Sequence, residues 1–283
     1  MQYRKLGKTG LKVSKLGFGG IPIRDVSEKQ ALDVVNRCLD LGVNFIHTSV
    51  TYGDSTQKLS KVLAERRDEC ILAVKIGGGR TKQHGEDRLK ETFEALKVDH
   101  IEIAELPINA NDFPEAMAPG GAYEAFLDAK ELGLIDHIGI TGHDIDFLNA
   151  AIKTDRFSNV IAPYNYIANK AEEELFSTAR RLEIGIIAMK VLGVGGIPEV
   201  REALRYVWEG DVDTSLVGMR NLQEVEMNVE VANLSEPLKA DERELLKETA
   251  ERIKREGRLK FSGRITKSHA EGVTRVILSN VRT

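Results

Sequence analysis

Short apolar runs alternate with longer amphipathic stretches along most of the chain. The runs are predicted as strands at 15–19, 44–46, 71–76, 101–106, 137–140, 159–162, 184–189 and 214–217. Their continuous apolar character suits strands covered on both faces. Each is followed by apolar residues at helical spacing, beginning with Leu32, Val35 and Leu39, then Leu59, Val62 and Leu63, then Leu89, Phe93 and Leu96. The series continues with Tyr123, Phe126 and Leu127; Phe147, Leu148 and Ile152; Leu175, Ala179 and Leu182; Val200, Leu204 and Val207; and Leu222, Val225 and Val229. Ser27 with Gln30 reads as a capping box at the start of the first helix. Residues 2–13 alternate around Lys8-Thr9-Gly10, the pattern of a β-hairpin. A charged helix over about 241–256 and a tail rich in Arg and Lys follow the last unit.

Eight strand–helix units predict a single (β/α)8 TIM barrel over residues 1–283, with an N-terminal hairpin and an extra C-terminal helix. A doubly wound sheet is the alternative. It lacks its glycine fingerprint, because the runs from Gly17 and from Gly193 both reach proline, Pro22 and Pro198, at the third glycine position.

Composition changes this picture little. At 283 residues, with 42% hydrophobic and 30% charged residues, the chain is an ordinary soluble globular one. A net charge of −4 gives no bulk attraction to nucleic acid or anionic lipid, so a small-molecule substrate is expected. No apolar run reaches membrane-spanning length, and the start lacks the apolar core of a signal peptide. Cys38 and Cys70 read as small core residues without metal-ligand spacing, so no metal is expected and the compartment is taken as cytoplasmic. Oligomeric state is not legible.

Barrel sites lie at the carboxyl ends of the strands. Those ends carry His47 and Tyr52, Lys75, Glu105 with Pro107, Thr141 with His143, Asn165, Lys190, and Gly218 to Asn221. Polar residues crowd the end of the second strand from His47 to Tyr52, closed by Gly53, where an apolar strand interior would exclude them. The Lys75 ammonium is expected to favour the ionised form of Tyr52 and so lower its pKa. His47 is expected to titrate near neutrality. The glycine loop 193–196 and the turn Gly218-Met219-Arg220-Asn221 follow strands seven and eight, the phosphate-binding corner of many barrels, and Arg220 offers bidentate bonds to a phosphate. The residues leave three readings open: an oxidoreductase, a lyase, isomerase or dehydratase using His47, Tyr52 and Lys75, and a non-catalytic binding protein.

Several segments together resemble the aldo-keto reductases: Tyr3-Arg4-Lys5-Leu6-Gly7, Asn44-Phe45-Ile46 with Thr48 and Tyr52-Gly53, and Ile71 to Lys75. So do Ile138 to Thr141, Tyr164-Asn165, Ala188-Met189-Lys190 to Gly193, and Gly218 to Asn221 with Asn228. The resemblance implies reduction of a small carbonyl compound, with NADP(H) bound in extended form without a Rossmann domain. By that resemblance Tyr52 and Lys75 match two of the family's four catalytic positions. His47 stands at the aspartate position and Pro107 at the histidine position. Thr141, Asn165, Lys190, Gly193, Gly195, Gly218, Met219, Arg220, Asn221 and Asn228 are the implied cofactor contacts. Ile161, Glu224 and Met227 depart from the family pattern there. The loop at 108–120 and the tail from Phe261 are expected to shape the substrate pocket.

Overall fold

Eight parallel strands close on one another in chain order. They are β3 (Leu16–Gly19), β4 (Phe45–Thr48), β5 (Ile71–Lys75), β6 (Ile101–Pro107), β7 (Ile135–Thr141), β8 (Asn159–Pro163), β9 (Gly185–Met189) and β10 (Thr214–Val217). Pairing of β10 with β3, Leu216 opposite Gly17, completes the ring. The computed structural model describes residues 1–77, 79–234 and 236–257, so the tail from Phe261 lies outside the described residues.

Side chains on alternate strand positions fill the barrel interior, where Phe45, Ala73, Ile103, Ile161, Ile187 and Leu216 form one packed layer. The other strand faces meet the outer helices. These are α1 (Glu28–Asp40), α2 (Ser55–Arg66), α3 (Lys82–Leu96), α4 (Phe113–Met117), α5 (Ala122–Glu131), α6 (Ile145–Ile152), α7 (Leu175–Arg181), α8 (Val200–Glu209) and α9 (Leu222–Asn233). A further helix, α10 (Ala240–Glu256), buries Leu246 and Ala250 in a separate cluster with Tyr166, Ile197 and Ala203.

The floor is closed by an antiparallel hairpin, β1 (Tyr3–Lys5) with β2 (Lys12–Ser14). Leu6 and Val13 from this hairpin join the interior layer. Gly7 takes φ +46° at the turn, and a Cβ there would meet the backbone nitrogen of Gly185 at 2.2 Å, so only glycine lets the hairpin seat this closely.

Four details differ from the sequence expectation. β4 runs on through His47 and Thr48, so those polar residues belong to the strand itself. The segment 108–120 holds a short helix, α4, whose Phe113 packs edge-on to Phe147 at 5.5 Å. Leu127 and Leu222 are exposed, because each lies at the edge of its helix's apolar stripe. Ser27 caps α1 by accepting from the Gln30 backbone N–H at 3.3 Å, but the Gln30 side chain does not complete a box. Its Nε2 donates instead to the Arg220 carbonyl at 2.7 Å, tying α1 to the turn after β10.

Candidate active site

The chain leaves β4 in a tight turn fastened to its neighbour. Ser49 Oγ donates to the Lys75 carbonyl at 2.8 Å, and the Tyr52 N–H closes on the Ser49 carbonyl at 3.0 Å. Gly53, at φ +62°, lets the chain enter α2 directly afterwards. The result hangs the Tyr52 ring over the end of β5, with Lys75 Nζ 4.7 Å from the ring centroid. The His47 ring stands 6.2 Å from it, tilted by 53°. The three residues expected to carry the chemistry are therefore together at the barrel mouth.

Their electrostatics differ from expectation. The ammonium lies over the ring face as a cation–π contact. Burial, followed by the charge of Glu105, raises Tyr52 to about 12, where a lowered value was expected. His47 is buried and its Nε2 has no hydrogen-bond partner. Burial, followed by the Lys75 charge, drives it down to about 3, so it is a neutral imidazole and does not titrate near neutrality. Burial also lowers Lys75. Among the described residues no carboxylate forms an ion pair with Lys75. Pro107, half-buried at the end of β6, offers no proton chemistry.

Farther round the mouth, His143 is lowered by burial and then by the charges of Lys190 and Lys75, so both cations face it. Thr141 is buried at the end of β7, opposite Pro107 and Ile161. Asn165 is fully buried and its amide is occupied. It donates to the Lys190 carbonyl at 2.9 Å and accepts from the backbone of Ile167 and Ala168, both at 2.9 Å. Lys190 itself has positive φ, as do Gly193, Val194 and Gly195 in the loop that follows. Val194 is 78% exposed at the crest of that loop.

After β10, Gly218 packs where a Cβ would lie 2.4 Å from Pro22 Cγ. The Met219 side chain is buried in the outer core, leaving only its backbone for a ligand. The Arg220 guanidinium is exposed and makes no hydrogen bond or ion pair among the described residues. Asn221 caps α9, accepting from the Glu224 N–H at 2.8 Å. Glu224 folds back so that its carboxylate accepts from the Arg220 N–H at 2.7 Å and from Asn221 Nδ2 at 3.1 Å. One helical turn on, Asn228 is buried with its Oδ1 unpartnered. Ile161 sits in the interior layer, and its side chain has no group to hydrogen-bond a ligand.

The sequence profile of the Aldo/keto reductase family matches residues 15–202. The chain belongs to this family. An L-galactose dehydrogenase of Arabidopsis thaliana is 26% identical over 298 residues, spanning 87% of this chain and 92% of that protein. The uncharacterized oxidoreductase YrpG of Bacillus subtilis is 26% identical over 224 residues, 69% of this chain and 68% of its own. Aldo-keto reductase AKR11C1 from Bacillus halodurans, in its holo form, superposes with a TM-score of 0.74 over 88% of this chain and 96% of that one. At 24% identity that likeness speaks for the shared barrel. Membership in the aldo/keto reductases supports an oxidoreductase-type enzyme.

Two features of the site were under-read in the sequence. Glu105 follows Ile101 and Ile103 on the inward side of β6, and an acid in an inward apolar series is the signal that marks it. Asn228 was read only as part of the family resemblance, whereas its orphaned Oδ1 now singles it out physically. Among the described residues there is no cluster of His, Cys, Asp and Glu able to hold a metal. Both cysteines are buried and free, and burial raises their thiols, Cys70 to about 11. No described helix is long and apolar enough to cross a membrane.

Proposed function

We propose that the protein is an NADP(H)-dependent oxidoreductase that reduces a small carbonyl compound, with Tyr52 as proton donor. The observation that carries this reading is the Lys75 ammonium 4.7 Å over the Tyr52 ring at the carboxyl end of the barrel. Family membership supports the reaction type.

The nucleotide, when bound, supplies the hydride. The residues fit it best at the adenosine end. Asn228 has a buried acceptor without a donor, and the Arg220 guanidinium is free for a phosphate. In the reaction Tyr52 gives its phenolic proton to the carbonyl oxygen that receives hydride. Lys75 stabilises the negative charge that grows as that proton leaves, because a cation close to a phenolate favours it. Neutral His47 contributes shape and dryness to the pocket wall, and no charge.

Glu224 bears on the choice of nucleotide. Its carboxylate holds the Arg220 N–H that a phosphate would otherwise use. NADPH is therefore expected to bind more tightly than NADH by a small margin only. Arg220→Ala should remove that margin. Glu224→Gln should widen it by about 1.5- to fivefold, the size of one exposed charge contact. Fluorescence titration of the protein with each nucleotide checks this. Equal and very weak binding of both would overturn the redox reading and leave proton-transfer chemistry at Tyr52.

A further inference from the structure

Glu105 is fully buried on the inner face of β6, with the strands around it in register so that Lys75 lies on one side and Gly139 on the other, followed by Asn159. Its Oε1 accepts from Asn159 Nδ2 at 2.6 Å. Its Oε2 has no donor, and neither has Asn159 Oδ1. Both oxygens border the gap left by Gly139, where a Cβ would stand 2.5 Å from each. Two bare acceptors sharing a buried gap repel one another, and burial favours a donor for each. A single proton on Oε2 cures both defects. It makes Oε2 a donor to Asn159 Oδ1 and closes a two-bond ring between carboxylic acid and carboxamide. Gly139 is what allows the two side chains to meet across the strand between them.

We propose that Glu105 is a positioning residue of this site, held by Asn159 as a neutral acid beside Lys75, and that through this neighbour, whose ammonium lies 4.7 Å over the Tyr52 ring, its charge bears on Tyr52. Burial pushes the Glu105 carboxyl up to about 8, with the Asn159 bond acting against that rise. Lys75 from β5 stands opposite Glu105, and Tyr52 from the turn after β4 feels its charge. The other titratable groups of the mouth, neutral His47 from β4 and His143 and Lys190 from the loops after β7 and β9, gather around Lys75 and one another. Of these, Tyr52 is raised by the Glu105 charge. Below about pH 8 Glu105 is uncharged and Tyr52 releases its proton more readily. Above it the carboxylate appears and Tyr52 holds its proton more tightly. The consequence for catalysis rests on Tyr52 being the proton donor; the acid–amide pair itself does not.

The test uses the ligand-free full chain. Infrared titration from pH 6 to pH 10 should show a carboxylic-acid carbonyl band that disappears with a midpoint near 8, and Glu105→Gln should lack that band. Gln is the neutral isostere, able to make both bonds to Asn159, so the variant should fold. The phenolate absorbance of Tyr52, taken as the difference between the protein and its Tyr52→Phe variant, should titrate roughly 0.5–1 pH unit lower when Glu105→Gln is introduced into both. A carboxylate already ionised at pH 6 would overturn the proposal, and so would a Tyr52 midpoint unmoved by Glu105→Gln. The wild-type infrared titration needs no variant. Failure of the protein to bind nucleotide would leave both spectroscopic results standing, so the two readings fail separately.

Discussion

Tyr52→Phe is expected to lower turnover of a carbonyl substrate by about 10²–10⁴-fold, the contribution typical of a positioned general acid. Nucleotide and substrate binding should stay within about tenfold, the signature of a group that acts in the transition state. The ring is kept in this variant, and so is its face toward Lys75. Phenylalanine also accepts a cation over its face, so the turn from Ser49 to Gly53 should hold its shape. Steady-state kinetics together with nucleotide titration check this result. A Tyr52→Phe protein with full activity would remove Tyr52 from the chemistry.

The second large effect concerns stability. Lys58→Met is expected to destabilise the protein by about 3–4 kcal/mol, since a buried charged donor and its acceptors would be parted. Lys58 lies on α2 and is 7% exposed, with Nζ turned beneath the segment that joins β3 to α1. There it donates to the carbonyls of Val26 at 2.8 Å, Ile23 at 3.0 Å and Arg24 at 3.3 Å, and pairs with Asp54 at 2.9 Å. Methionine matches the aliphatic stem and leaves those carbonyls without their donor. The same segment carries Pro22, packed on Gly218, so nucleotide affinity should fall along with stability. Thermal and urea unfolding measure the first effect. A loss on the order of 10 °C in Tm is expected. A loss below about 1 kcal/mol would mean that water reaches these carbonyls.

The barrel was legible because each strand is covered on both sides and therefore reads as an unbroken apolar run between amphipathic helices. His47 to Tyr52 stood out for the opposite reason, as polar groups at the end of such a run. Strand order then placed Tyr52 near Lys75. What strand order does not specify is the angle of approach. The Ser49 hydroxyl fastens the turn to the Lys75 carbonyl, and the Lys75 ammonium lies over the Tyr52 ring face. The pKa of His47 depended on a burial that the sequence hid, because the polar-looking stretch proved to be the inner end of β4. The Glu105–Asn159 pair was out of reach for another reason. It requires the register of three strands and a missing side chain at Gly139 between them.

The hairpin beneath the barrel has a consequence for how the chain reaches this state. The Leu6 side chain packs on Gly185, Thr214 Oγ1 donates to the Ser14 carbonyl at 2.8 Å, and Arg4 bonds the Val212 and Trp208 carbonyls. The docking surface for the hairpin thus consists of β9, β10 and the end of α8, whose contacts with it reach separations of 200 and 208 residues. Contacts of such long sequence separation carry a high loop-closure cost and slow a folding reaction. During translation the hairpin must wait, with Leu6 and Val13 uncovered, until nearly the whole ring exists. Sealing the floor is then a late event in folding, and β3 and β10 are held side by side by residues that flank the hairpin as well as by their own ladder.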